Sequence, residues 1–219
     1  FDIIDRFQWA AGSFGMRFND GELQVNGSSS INQLLGNGRI TLGATLSVND
    51  GATAGTIDGN GSLTKNSGSL LILSGANVDN YFGYTTVNNG SLQFTHDAVT
   101  LAGQVSVGGS GYLDFTASTG TTQLNGGLVT YGNTFIGNNA ILSDTYNFGN
   151  NLTVGGNVTG SYFENCNANS NTVIGGTALL SHLRNYAGVI DINGLAGSSW
   201  IALIQNFAVT NIAGDVSGN

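Results

Sequence analysis

Residues 90–115 read GSLQFTHDAVTLAGQVSVGGSGYLDF, and this stretch decides the fold. It repeats one short phrase, in which a glycine is followed by apolar residues at alternate positions. Alternation with a period of two is typical of a strand that is buried on one face only. The same phrase occurs nearer the N-terminus, so the pattern is not local to this stretch. The copies are Gly21–Val25, Gly38–Leu42, Gly90–Phe94, Gly103–Val107 and Gly111–Phe115.

The spacing of the phrase predicts how the strands are connected. With the similar phrase GSLTK at 61–65 included, copies begin at positions 21, 38, 61, 90 and 111, so their average spacing lies in the twenties. Repeats of this length indicate solenoids, and the segments between copies are too short for helical crossovers. We therefore predict an all-β chain that coils as a single-stranded parallel β-helix, a β-solenoid of about ten rungs stacked about 4.8 Å apart.

The composition agrees with stacked short strands. The 219 residues include 35 Gly and no Pro. Glycine adopts the left-handed conformations that corners require, whereas proline would remove a donor from a strand paired on both sides. The alternative is an antiparallel sandwich or an up-and-down barrel. Hairpin folds of that kind have turn signals about every 8 to 12 residues, and their turns usually include proline.

The charge excludes some partners. Thirteen acidic and five basic residues give a net charge of −8, so the basic stripe that neutralises nucleic-acid phosphates is absent and no nucleic-acid partner is predicted.

The sequence has no apolar run near the ~18 residues of a spanning helix, and we predict no membrane-spanning segment. A single cysteine, Cys166, excludes an internal disulfide.

One region carries a resemblance to a known family. Residues 63–65 read LTK, residues 70–77 read LLILSGAN and residues 85–93 read TTVNNGSLQ. Together they resemble the passenger-associated strand repeat of bacterial autotransporters, although residues 78–84 depart from its usual wording. Residues 7–51 look like rungs of bacterial surface adhesins more generally. The resemblance implies a secreted, right-handed β-helical stalk at the bacterial cell surface.

The last third of the chain has a different character. Residues 161–166, 183–192 and 204–207 are similar to β-helical tail and fibre proteins of bacteriophages, which implies a virion component that binds a host-surface glycan as the alternative function. We therefore expect β-helix rungs with the autotransporter-like repeat in residues 1–150, and continuing rungs of different sequence in residues 151–219.

A second alternative is a polysaccharide-degrading enzyme. Residues 55–61 read GTIDGNG, a string similar to one in polygalacturonases and some phage depolymerases. Hydrolysis of this kind requires clustered carboxylates, and the other acidic segments of those families have no counterpart here. We expect Asp58 to form an Asx-type turn and predict no catalytic residue.

The histidines and the cysteine predict no metal site and no cofactor. His96 is followed by Asp97, and His182 follows Cys166 at a distance near one rung. Neither histidine has the converging ligands at set spacings that a metal requires. The acidic residues are mostly isolated and are expected in solvated turns, namely Asp20, Asp50, Asp79 and Asp144.

Aromatic residues supply the binding hypothesis. Tyr81, Phe82 and Tyr84 flank Gly83, and three rings so close together cannot all point into a narrow lumen. Rings that face outwards can stack on sugars, with neighbouring Asn and Thr as hydrogen-bonding groups. The alternative is that aromatic rings form ladders inside or along the rod. Asn ladders are expected in stacked turns, where side-chain amides bond from rung to rung.

These observations predict a non-enzymatic, extracellular stalk of a bacterial surface protein. Its work is attachment to a cell-surface or glycan ligand, or self-association. Self-association is expected because neither terminus has an evident amphipathic cap, and a bare rung is an edge that pairs with another chain.

Overall fold

The computed structural model describes residues 15–18, 21–194, 199–213 and 216–217, and the described part contains strands and no helix. The strands are β1 Gly15–Phe18, β2 Glu22–Val25, β3 Ser29–Gly36, β4 Arg39–Leu42, β5 Leu46–Thr53, β6 Thr56–Gly59, β7 Leu63–Lys65, β8 Leu70–Leu73, β9 Asn77–Tyr81, β10 Thr85–Phe94, β11 Val99–Leu101, β12 Val105–Phe115, β13 Thr122–Leu124, β14 Leu128–Thr130, β15 Asn133–Ile136, β16 Ala140–Leu142, β17 Thr145–Asn147, β18 Asn151–Val154, β19 Val158–Asn165, β20 Asn171–Ile174, β21 Ala178–Asn185, β22 Val189–Ile192, β23 Ser199–Asn206, β24 Val209–Ile212 and β25 Val216–Ser217.

The strands form three faces, and each turn of the chain contributes one short segment to each face. Face 1 begins with β2, β4 and β6. Face 2 begins with the first halves of β3 and β5 and continues in β7. Face 3 begins with β1 and the second halves of β3 and β5. All strand pairs that the structure describes are parallel, so the chain is a β-solenoid of about nine turns.

The register confirms the predicted parallel β-helix and excludes the antiparallel alternatives. On face 3, Gln33 pairs with Asp50 and Leu92 pairs with Leu113, and in each case the partner lies one turn further along the chain. The same pairing continues across position 150, where Thr134 is followed in the stack by Leu152. The number of residues per turn varies because the corners differ in length, while the strand segments remain aligned.

Alternation places one set of apolar residues in a continuous lumen. Leu71, Leu92 and Leu113 lie directly above one another on face 3, and all three are fully buried. Beside them, the rings of Phe94 and Phe115 stack with centroids 5.1 Å apart. Each rung therefore buries its side chains against the next one, which is the main source of stability in a solenoid.

The lumen also contains polar side chains, several of which bond to the backbone. Lys65 is fully buried, and its Nζ donates to the carbonyl oxygens of Ser67 (2.5 Å) and Asn89 (3.2 Å). Burial lowers the pKa of this lysine. Asn165 and Asn185 are buried at the equivalent position of later turns. The Asn165 Nδ2 donates to the Val189 carbonyl oxygen at 2.7 Å, which links face 2 to face 3.

Glycines allow the turns to approach closely at the corner between faces 1 and 2. A Cβ placed on Gly83 would lie less than 3.0 Å from the carbonyl oxygen of Gly61, a separation that real Cβ atoms do not show. A Cβ on Gly103 would likewise come too close to the backbone of Gly83, and a Cβ on Gly126 too close to the backbone of Gly103. The abundance of glycine in the sequence thus has a specific cause at this corner, where no side chain fits.

Face 1 changes its pairing once. Strands β2, β4, β6 and β9 form a four-stranded sheet, and the other described strands that pair belong to one large sheet. At the junction of β9 and β11, the Asp79 carboxylate accepts a hydrogen bond from the Thr100 backbone N–H at 2.5 Å. No helix in the described part of the chain is long and apolar enough to cross a membrane.

Candidate functional site

The three aromatic residues predicted to bind a ligand separate into one buried and two exposed rings. Tyr81 is buried in the lumen, where its hydroxyl lies 2.7 Å from the Thr85 hydroxyl and burial raises its pKa. Phe82 and Tyr84 remain 68% and 61% exposed. The expectation that some of these rings face outwards is therefore confirmed, but Tyr81 is not available to a ligand at the surface.

A bulge explains why Tyr81 points inwards. Between β6 and β9 the register shifts by one residue, so that Asn80 pairs with Asp58 and Tyr81 pairs with Gly59. The extra residue changes which side chains of β9 face the lumen.

A more extended feature follows the corner between faces 2 and 3. One residue in each turn comes directly after the last inward-facing residue of face 2, and we call this set the corner column. Its members lie above one another because the inward-facing residues are in register from turn to turn. They are Asn32, Asn49, Asn66, Asn88, Gly108, Tyr131, Phe148, Cys166, Tyr186 and Phe207.

The first part of the corner column is an amide ladder. The Asn49 Nδ2 donates to the Asn32 Oδ1 at 3.1 Å, and the Asn88 Nδ2 donates to the Asn66 Oδ1 at 2.7 Å. A second amide ladder on face 3 joins Asn151 to Asn133 at 3.0 Å. The predicted Asn ladders are thus confirmed.

The later part of the corner column is aromatic except at Cys166, and we call Tyr131, Phe148, Tyr186 and Phe207 the aromatic ladder. The rings of Tyr131 and Phe148 stack with centroids 5.0 Å apart and planes 13° apart. The rings of Tyr186 and Phe207 stack with centroids 5.5 Å apart and an angle of 9° between their planes. Phe148 is partly buried, whereas Tyr131, Tyr186 and Phe207 are 50%, 45% and 70% exposed. Aromatic ladders therefore run both inside and along the rod, as the alternative expectation stated.

A polar cluster on face 2 adjoins the aromatic ladder. The Glu164 carboxylate accepts hydrogen bonds from the Tyr162 hydroxyl and from the Cys166 thiol (3.4 Å). Burial and the bond to Glu164 raise the pKa of Tyr162, and the same two causes raise the pKa of Cys166 to about 12. The Nη1 of Arg184 lies 3.8 Å from Glu164, so the carboxylate is surrounded by donors.

Arg184 connects this cluster to the aromatic ladder. Its guanidinium carbon lies 5.6 Å from the centroid of the Tyr162 ring and 5.3 Å from that of Tyr186, which is cation–π geometry. Its Nε donates to Gln205. The face therefore presents flat rings beside amide, hydroxyl and guanidinium donors, a combination that suits a polar ligand with an apolar side.

The acidic residues occupy places that the sequence predicted only in part. Asp58 lies in β6 and pairs with Arg39 at 2.7 Å, so the expected Asx-type turn is wrong. Asp50 and Asp79 lie in β5 and β9 rather than in solvated turns, because both strands extend further than their apolar pattern indicated. Asp144 is exposed in a bend between strands, as expected. Asp20 lies outside the described residues.

The histidines have separate structural surroundings. His96 is buried, with its Nε2 3.4 Å from the Asp79 carboxylate, while the adjacent Asp97 is exposed and accepts a bond from Thr119 at 2.8 Å. The His182 ring lies 6.1 Å from that of Tyr162. Within the residues described, no group of three or more His, Cys, Asp or Glu side chains could hold a metal ion.

Comparison with known proteins adds no family. No family model, no curated protein and no solved structure matches the chain.

Proposed function

We propose that this chain is a non-enzymatic adhesive stalk of a bacterial surface protein, working outside the cell and attaching to a cell-surface or glycan ligand. The observation that supports this is the aromatic ladder, in which Tyr131, Tyr186 and Phe207 hold large apolar areas in solvent. Exposing apolar surface costs about 25 cal/mol per Å². A ligand that covers these rings recovers that free energy.

The architecture supports attachment at a distance. About nine turns at about 4.8 Å each make a rod on the order of 40 Å long. Consecutive turns are joined by hydrogen bonds and filled with packed side chains, so a ligand-binding edge is held rigidly along the rod. Rigid presentation lowers the entropic cost of binding an extended ligand.

The carboxylates favour binding over hydrolysis. Glycoside hydrolysis uses two carboxyl groups about 5 to 9.5 Å apart on either side of the bond to be cleaved. Here Asp58 is bound by Arg39, Asp114 accepts bonds from Gln93 and Thr116, and Glu164 is enclosed by its own donors. These partners give each of the three carboxylates a structural role.

Attachment can be measured with beads coated with the purified chain, applied to cells and to immobilised cell-surface polysaccharides. We expect wild-type beads to attach and beads carrying a four-fold ladder variant, with each of the four aromatic residues replaced by Asn, to lose most of the attachment. Asn is the residue that the same column uses in its first turns, so the rod should remain folded, which circular dichroism would verify.

A second variant separates the two aromatic regions. Phe82→Ala combined with Tyr84→Ala removes the two exposed rings at the other corner and leaves the ladder intact. Equal attachment by wild-type and ladder-variant beads, or no attachment by the wild type to any surface, would refute the proposed function of the ladder.

A further inference from the structure

The lower end of the aromatic ladder differs from the rest of the corner column. Below Tyr131 the column contains Gly108, so no side chain of the column covers the lower face of the ring. Phe148 covers only the upper face. Tyr131 is half exposed, and Phe148, which has a column neighbour on each side, is less exposed.

The corner beneath Tyr131 also has an extra residue. Val87 pairs with Val107, but Asn89 pairs with Ser110, so the turn bulges at Gly108 and Gly109. A Cβ on Gly109 would meet only the Tyr131 carbonyl oxygen, at 3.9 Å, so open space adjoins this position. The bulge and the two glycines leave a gap in the column between Asn88 and Tyr131.

The rings are not needed to complete this corner. In the first turns the same position is occupied by Asn, whose amides bond to one another and satisfy the corner with polar groups. At Tyr131 this arrangement is replaced by a half-exposed ring above a gap. One face of the ring stacks on Phe148, and the other face has no neighbour in the column. An unused ring face beside polar groups is the chemistry that contacts the C–H side of a sugar ring.

Among the described residues, the outward-facing side chains of face 2 next to the gap are uncharged, and the nearby Lys65 ammonium is buried and bonded to the Asn89 carbonyl oxygen. The outward-facing residues of the three adjacent turns on face 2 are Thr86, Ser106 and Val129. The nearest acidic residue along the same strand is Asp114, and its two carboxylate oxygens accept hydrogen bonds from Gln93 and Thr116.

At the lower rim, the Asn88 Nδ2 is used by the amide ladder. Its Oδ1 accepts no hydrogen bond among the described residues and is available to a hydroxyl of a ligand.

We propose that the lower face of Tyr131, together with Gly108, Gly109 and Asn88, is a binding subsite for one ring of a neutral saccharide. The sugar takes the place of the missing column member, with its C–H face on Tyr131 and a hydroxyl towards the Asn88 amide. This inference rests on the proposed function, because it gives the ligand class and one contact point of the adhesive edge.

The test is isothermal titration calorimetry of the full chain with neutral oligomers of glucose, mannose, galactose and N-acetylglucosamine, and with an acidic oligogalacturonate. We expect at least one neutral oligomer to bind the wild type and the acidic one to bind more weakly. Tyr131→Asn should lower the affinity about tenfold or more, and Tyr131→Phe, which keeps the ring, should retain it.

Two further variants keep the result interpretable if Tyr131→Asn affects folding. Gly109→Gln leaves Tyr131 in place and fills the gap, and its Cβ has room, so we expect a folded protein with weakened binding. Ile141→Ala, which removes an exposed apolar side chain on face 1, should bind as the wild type does.

The proposal is overturned if no neutral oligomer binds, if only the acidic oligomer binds, or if Tyr131→Asn and Gly109→Gln bind as the wild type does. Bead attachment that persists in any of these cases shows that the adhesive function stands and that the saccharide subsite is wrong.

Discussion

Replacing Gly83 with alanine should destabilise the rod strongly for its size, because the corner between faces 1 and 2 has no space for a methyl group. A Cβ there would be closer than 3.0 Å to the Gly61 carbonyl oxygen, and the turns would have to separate by about 1 Å to reach ordinary contact distance. That movement stretches two hydrogen bonds, from the Gly83 N–H to the Gly61 oxygen (3.2 Å) and from the Phe82 N–H to the Gly59 oxygen (2.8 Å).

The magnitude follows from these contacts. Two weakened hydrogen bonds at about 0.5–1.5 kcal/mol each and an overpacking cost of about 1–3 kcal/mol give a loss of about 3 kcal/mol. For 219 residues the unfolding entropy is about 0.46 kcal/mol/K. The expected fall in Tm is therefore about 6 °C, measured by circular dichroism during heating.

The chain contains a matched control. A Cβ on Gly68 would meet nothing within 4 Å, and its backbone conformation suits any residue. Gly68→Ala should therefore leave the Tm unchanged or raise it slightly, since alanine restricts the unfolded chain. A Gly83→Ala protein as stable as Gly68→Ala would refute the close-packing argument for this corner.

Three other predictions concern individual side chains. Cys166, with its pKa raised to about 12, should react with iodoacetamide at pH 8.5 at least about a hundredfold more slowly than an ordinary thiol, and Glu164→Gln should accelerate the reaction; equal rates by mass spectrometry would contradict this. The pKa of Lys65 is lowered in the fold, so the unfolded state binds a proton that the folded state has released. The difference in free energy of unfolding between the wild type and Lys65→Met should therefore rise with pH up to about 10.5. A difference that stays flat or falls with pH in urea titrations would contradict this. Asp58→Ala should cost less than about 1 kcal/mol, since its partner Arg39 is mostly exposed, and a larger loss in the same titration would show a buried role.

The lumen residues can be predicted from the sequence because a strand's alternation is local. The glycine-led phrase places Leu92, Phe94, Leu113 and Phe115 on the inward face, and all four are buried. It does not place Tyr81, because the bulge in β9 changes the inward-facing positions partway through the strand. A bulge depends on the partner strand, so its position cannot be deduced from one segment alone.

Sequence reasoning misses the corner column for a related reason. Its members are separated by unequal numbers of residues, and only the register of the strands shows that Asn88, Gly108 and Tyr131 occupy one line. A signal is present nonetheless: each member directly follows the second inward-facing residue of a face 2 segment, as in LTKN at 63–66 and LVTY at 128–131. Aligning these short segments reveals the change from amides to rings.

The nearly constant register has a mechanical consequence. If the ends of the rod are pulled apart, the chain can unwind one turn at a time from an end, because each turn contacts only its neighbours. Each turn releases about 70 Å of extended chain in place of about 5 Å of rod. A rod built in this way lengthens in discrete steps of unequal size under load, and each step limits the tension that the rod transmits.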